Sequence, residues 1–306
     1  MWPKSVCGVI GLLVTASTLT ADCPCPDGTW YSLAPLPFKR QEISTAVLNG
    51  EIYVIAGYDE SGNSTSTVQV YDPVNDSWRL AADLPIVNNH NGAAVAAGTL
   101  YAFGGESNRV FAYDPDQDAW SEVAPMKYQH GNSAAVAVID DCIYVAGGTG
   151  PGMMQTEVER YDPYADTWTV LTPMNVPRNH TAGGVIDGLF YVVGGRDSPE
   201  APAALEVYDP ATDMWTRLTD MSTGRSGIGA GVINGCLYVF GGEQPQLFDN
   251  VEVYQPATDT WGELAPMPTP RHGLFAAVIE NAIYLPGGAV QQGFGATDVN
   301  EVFVIE

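Results

Sequence analysis

Tyr161–Trp168 reads YDPYADTW, and the same frame returns four more times along the chain. The copies are YDPVNDSW (71–78), YDPDQDAW (113–120), YDPATDMW (208–215) and YQPATDTW (254–261). Apolar runs closed by small residues alternate with these frames: IYVIAG to Gly57, LYAFGG to Gly105, IYVAGG to Gly148, FYVVGG to Gly195, LYVFGG to Gly242 and IYLPGG to Gly288. Self-similarity at a fixed period marks a repeat architecture, and the period here is about 46 residues. There are six apolar runs but five complete Tyr–Trp frames. The sixth Trp lies at the other end of the chain: Trp30 in TWYSLAPLP matches Trp120 in WSEVAPM and Trp261 in WGELAPM. The chain therefore opens with the last strand of a unit whose first three strands come at 274–306. Pairing of the two ends closes a ring and removes the unpaired sheet edges that an open array would expose.

Each unit reads as four antiparallel strands. Strand a is small and apolar (STAVL, GAAVAA, SAAVAVI, AGGVI, GAGVI, FAAVI), as suits the crowded axis. Strand b is the apolar run, strand c ends at the Tyr, and strand d starts at the Trp. The Gly doublet is expected to leave space for a neighbouring aromatic, and Trp and Tyr to fill the space between sheets. The predicted fold is all-β: a six-bladed β-propeller with four antiparallel strands per blade over residues 28–306, leaving no room for a second domain. In these elements, together with the Arg ahead of strand a, the chain resembles the kelch-repeat family nearly throughout 28–306. The resemblance implies a propeller that binds proteins or glycans, with a minority of enzymes.

Residues 1–21 read as a signal peptide: a Lys, then the apolar run VCGVIGLLV (6–14), then small residues up to Ala21. The run is too short to span a bilayer, so export to the periplasm or the extracellular space is expected, without stable membrane insertion. Residues 22–27 form a lead-in containing Cys23 and Cys25. Cys142 and Cys236 hold the same repeat position in non-adjacent blades, and are expected to be buried free thiols.

Nine repeated Asp are expected to serve turns: Asp72, Asp114, Asp162 and Asp209 in YDP, and Asp76, Asp118, Asp166, Asp213 and Asp259 two residues before the Trp. Asp114, Asp116 and Asp118 imitate the start of a calcium loop, but Ala119 stands where its Gly belongs and Pro125 where its Glu belongs. The 36 acidic against 12 basic residues give a net charge of −24, which excludes nucleic acid as a partner and disfavours anionic membranes.

Antiparallel order puts the d–a and b–c loops on one face. The b–c loops vary in length and content, from ESN to YDESGNSTST, and variable loops on a rigid frame carry recognition. Equivalent d–a positions hold Arg40, Asn88, Gly131, Arg178, Arg225 and Arg271. The four Arg would ring the channel mouth as a site for carboxylates, or pair with nearby acids as scaffold. All four His (His90, His130, His180, His272) lie in d–a loops, with His90 and His180 equivalent. The ligand-contact candidates are thus Arg40, Asn88, His90, His130, Arg178, His180, Arg225, Arg271 and His272. Six-fold spacing would hold most imidazoles too far apart to share an ion, so no metal and no cofactor is expected. Phosphate loops, GxSxG and HExxH are absent. The expected function is a secreted, non-catalytic platform for an extracellular protein or glycan. The alternative is a sugar-acting enzyme of the sialic-acid mutarotase type, which the family resemblance allows. Asn63, Asn75 and Asn179 stand in glycosylation sequons.

Overall fold

The computed structural model describes residues 25–199 and 202–305; the signal-peptide expectation lies outside them. The described residues form six four-stranded antiparallel sheets. Five are consecutive in sequence. The sixth joins Ala277–Ile279, Ala282–Pro286 and Asn300–Ile305 to the N-terminal strand Gly28–Ser32, with Trp30 opposite Phe303. Strand a of each blade touches strand a of the next around a closed circle. The small residues of these strands line an axial cavity of about 300 Å³, where larger side chains would collide. No helix among the described residues is long and apolar enough to cross a membrane.

The repeat motif explains how blades hold one another. The Tyr hydroxyl of each complete frame donates to the Asp five residues on, as Tyr71 does to Asp76 at 2.6 Å. The same carboxylate accepts the backbone N–H of a residue in the preceding blade: Ala34 for Asp76, Ala82 for Asp118, Ala124 for Asp166, Thr172 for Asp213 and Thr219 for Asp259. The Trp indole then donates to the carbonyl of that very residue, as Trp78 does to Ala34 at 2.8 Å and Trp261 to Thr219 at 3.0 Å. Asp and Trp thus clamp both backbone groups of one residue across five of the six seams; at the closing seam Gly28 stands in the place of the Asp, and Trp30 donates to the Ala265 carbonyl at 3.3 Å. This corrects the expectation that these Asp serve turns. That role belongs to the YDP carboxylates, such as Asp72, which accepts the Val74 N–H at 2.9 Å. Asp114 does likewise, and Asp118 is occupied by Tyr113 and Ala82.

The Gly doublet also has a different cause from the one expected. Gly242 has φ +114°, and a Cβ there would lie 2.9 Å from the Ser226 carbonyl of its own blade's d–a loop. Its N–H donates to the Arg271 carbonyl of the next blade. A Cβ at Gly242 would also lie 2.7 Å from the Ile228 side chain, so a loop carbonyl and an aliphatic side chain, not an aromatic ring, exclude it.

A second correction concerns cysteine. Cys25 is disulfide-bonded to Cys236, across 211 residues of sequence. The lead-in to the closing strand passes beside the start of strand b of blade 5 (Cys236–Phe240), so the pairing unites two segments that the repeat register does not relate. Cys142 is also disulfide-bonded. Neither is a free thiol.

Candidate functional site at the axial mouth

The equivalent Arg do not face the mouth. Arg178, Arg225 and Arg271 are fully buried, each inside its own blade against a strand-c carboxylate. Arg178 donates to Glu206 at 2.9 Å, Arg271 to Glu301 at 2.7 Å, and Arg225 to Glu252. Their remaining donors meet backbone carbonyls, such as Ala204 and Val192 for Arg178. Burial lowers Arg178 and Arg271 to about 10, against the pull of their carboxylates, so both stay cationic at neutral pH. The other blades alter one partner or both. In blade 3, His130 takes the place of Arg, bonding Glu159 at 3.1 Å and the Gly147 carbonyl at 2.6 Å. In blade 2 the pair is Asn88 and Phe111, and Asn88 bonds backbone instead, donating to Gly104 and accepting from Asn89 and Glu106. In blade 1 the Glu position is Gln69, and Arg40 donates to the Lys39 carbonyl and the Thr67 hydroxyl. Thus Arg40, Asn88, His130, Arg178, Arg225 and Arg271 all serve the scaffold. For Arg178, Arg225 and Arg271 the cause is the depth of the guanidinium, which the desolvation cost ties to an acid within the blade.

What faces the axis lies two residues further on: Glu42, His90, Ser133, His180, Gly227 and Gly273. All six have left-handed backbone, with φ from 49° to 64°. Their loops are stitched into a circle by backbone bonds, for example His90 N–H to the Glu42 carbonyl at 2.8 Å and Gly273 N–H to Gly227 at 2.8 Å. Gly273 matters sterically, since a Cβ there would lie 2.8 Å from a Glu42 carboxylate oxygen. A second circle comes from the residue after each Gly doublet: Tyr58, Glu106, Thr149, Arg196, Glu243 and Ala289.

These two circles, with His272 just before Gly273, bring Glu42, His90, His180 and His272 together with Arg196 and Glu243. The His90 and His180 rings are 4.9 Å apart. His90 Nε2 lies 3.2 Å from Glu42, and His272 lies 3.6 Å from both Glu42 and Glu243. One ligand atom each from Glu42, His90 and His180 falls within 4.8 Å of the others, so the expectation that six-fold spacing separates the imidazoles is overturned. Successive inward-pointing loops at a narrow axis converge even when their blades diverge. Arg196 bridges Glu243 and His180. Burial pulls His90 and His180 below the usual histidine range, against Glu42. Burial acts the same way on His272, but its contacts with Glu42 and Glu243 outweigh it and raise that group. Burial also works against ionisation of Glu42, yet the three histidines hold it below the usual carboxylate range.

Over this cluster opens a pocket of about 480 Å³, walled by Tyr58, Phe294, Arg196 and Glu243. Tyr58 and Phe294 stand 5.4 Å apart, and Phe294 is 47% exposed.

A family model described as the Attractin/LZTR1 β-propeller matches residues 35–242, and a kelch-motif model matches 224–268. The chain belongs to this kelch-type propeller family. Kelch-like protein 30 of Homo sapiens is 31% identical over 205 residues, covering 51% of this chain and 35% of that protein. Kelch-like protein 35 of Mus musculus is 29% identical over 136 residues, covering 44% and 24%. The chain thus spans about a third or less of these curated relatives. The solved structure of YjhT superposes with a TM-score of 0.76 at 15% identity, covering 88% of this chain and 95% of that one, which shows a shared fold.

Within this kelch propeller, the sequence reading found His90, His180 and His272 but missed Glu42, Arg196, Glu243, Tyr58 and Phe294. Aligning the residue two after the Arg position, and the residue after the Gly doublet, would have exposed all but Phe294. Asn179, one of the three sequon positions, is buried, with its amide donating to Gln155 and Asp197.

Proposed function

We propose that this propeller is a secreted, non-catalytic recognition module that binds an extracellular glycan, free or carried on a protein, by seating one sugar unit in the axial pocket. One observation carries the reading: a pocket of about 480 Å³ sets the aromatic wall of Tyr58 and Phe294 beside the charged pair Arg196–Glu243. An apolar ring face with a few fixed polar groups is what a small polar ligand of that volume requires. Secretion is supported by the leader-like residues 1–21 and by the Cys25–Cys236 disulfide, which suits an oxidising compartment. The test is a glycan array followed by calorimetric titration of the best binder. Arg196→Ala and Phe294→Ala should each weaken it at least about tenfold, a loss of ~1.4 kcal/mol. Absence of any glycan binder, or binding unchanged in both variants, overturns the proposal.

A second reading, a sugar-acting enzyme, is favoured by the carboxylate of Glu42 lying beside imidazoles, a pairing suited to proton transfer. Accelerated anomer exchange of the bound sugar, lost in Glu42→Gln, would establish it in place of the first.

A further inference from the structure

We propose that Glu42, His90 and His180 form a binding site for one divalent transition-metal ion of borderline softness, such as Zn²⁺, on the axis at the floor of the mouth. This goes beyond the glycan reading and does not depend on it.

The orientation of the two imidazoles carries the inference. His90 and His180 are each preceded by Asn, and each ring's Nδ1 bonds the side-chain oxygen of that Asn. An amide oxygen only accepts, so Nδ1 carries the proton in both rings and Nε2 presents a lone pair inward. An outer acceptor that fixes the tautomer and aims the other nitrogen is the usual support of a metal-binding histidine. The same Asn–His pair at equivalent places in blades 2 and 4 gives two such nitrogens.

The third donor is Glu42, whose side chain is 5% exposed. Its Oε2 is buried without a hydrogen-bond partner and faces His90 Nε2 at 3.2 Å. With the ring proton held at Nδ1, two acceptors confront each other. Coordination of one cation by both turns that repulsion into attraction. The donor atoms lie within 4.8 Å of one another, and ligands of a tetrahedral zinc at bonds of ~2.1 Å stand about 3.4 Å apart. Shifts of under about 1 Å per side chain close that difference.

The donor set decides the class of ion. Two imidazoles and one carboxylate, with no thiolate, suit Zn²⁺ and neighbouring first-row dications rather than Ca²⁺ or Cu⁺. His180 Nε2 is bonded by Arg196, so the ion displaces one guanidinium nitrogen. Arg196 can yield it, because its side chain is 23% exposed and its other nitrogen keeps Glu243 at 2.9 Å. The positions left open on the metal then face the pocket.

The full-length protein, stripped with chelator and dialysed, is loaded with Zn²⁺, passed through gel filtration and assayed for metal by mass spectrometry. About one ion per chain is expected. His90→Gln, His180→Gln and Glu42→Gln should each weaken Zn²⁺ at least about tenfold by calorimetry. Asp114→Asn, in the acidic turn that imitates a calcium loop, should leave it unchanged. X-ray absorption at the zinc edge of the wild-type protein should show two imidazoles, an observation that needs no variant to fold. Fewer than about 0.2 ions per chain, a zinc shell of oxygen alone, or unchanged affinity in both His variants overturns the site.

Discussion

The outer seams and the axial mouth treat the repeat in opposite ways. At the seams, one Asp–Trp clamp is copied from blade to blade, from Asp76 and Trp78 to Asp259 and Trp261, on the two backbone groups of a single residue. At the mouth, one backbone geometry is also copied, with φ near 50–64° at six equivalent places, but the side chains are Glu, His, Ser, His, Gly and Gly. Symmetry is kept where each blade must do the same work. It is broken where a single cavity is shared by all of them, because a centre built from identical residues would carry like groups pressed together. The buried Arg–Glu pairs lie between these limits: intact in blades 4 to 6, altered in one partner in blades 1 and 3, and in both in blade 2.

The sharpest way to break the comparison is to remove one scaffold charge. Arg225→Ala leaves Glu252 buried without its cation and should cost ~3–5 kcal/mol, read by calorimetric unfolding. Arg40→Ala, whose strand-c neighbour is the neutral Gln69, should cost less, about 1–3 kcal/mol. Equal losses would show that the pairs in blades 4 to 6 are not the distinct class described. The disulfide comes next. Replacing Cys25 and Cys236 together by Ser should cost about 2–4 kcal/mol in denaturant unfolding, since it frees the closing strand in the unfolded ensemble. A loss below measurement would mean that strand pairing alone seals the ring.

Smaller effects test the clamp and the mouth. Trp261→Phe removes the bond to Thr219 while keeping most of the ring, and should cost ~0.5–1.5 kcal/mol. Acid should act on the same clamp. The bond from its Tyr and the backbone N–H of the preceding blade hold Asp76, Asp118 and Asp259 below the usual carboxylate range. Their folded values thus lie beneath their unfolded ones near ~3.9. The stability they confer is complete above that value and is lost as pH falls through the folded values. Unfolding followed from pH 6 to 2 should show the loss beginning near about pH 4, and a flat profile would refute the assignment. Least of all, Glu42→Gln should cost about 1 kcal/mol in unfolding, because the carboxylate it neutralises is held by imidazoles at 3.2 and 3.6 Å rather than by a buried guanidinium. A loss comparable to that of Arg225→Ala would place Glu42 in the scaffold.

Part of the mouth was legible in advance and part was not. His90, His180 and His272 stood out because histidine is scarce and confined to one loop class. The Arg drew equal attention for their regularity, yet regularity at an equivalent position signalled scaffold, as the buried Glu206, Glu252 and Glu301 partners show. Glu42 was hidden among 36 acidic residues. Only its place in the left-handed circle separates it from the rest.

The sequence by itself determined the blade count, the strand order and the closure of Trp30 upon Phe303, because each follows from local periodicity repeated in phase. The tertiary structure alone decided which charges are buried in pairs, which cysteines meet and which loop residues share the axis. Those outcomes depend on distances between segments as remote as Cys25 and Cys236, or Glu42 and His180, and a repeat register fixes equivalence between positions without fixing their proximity.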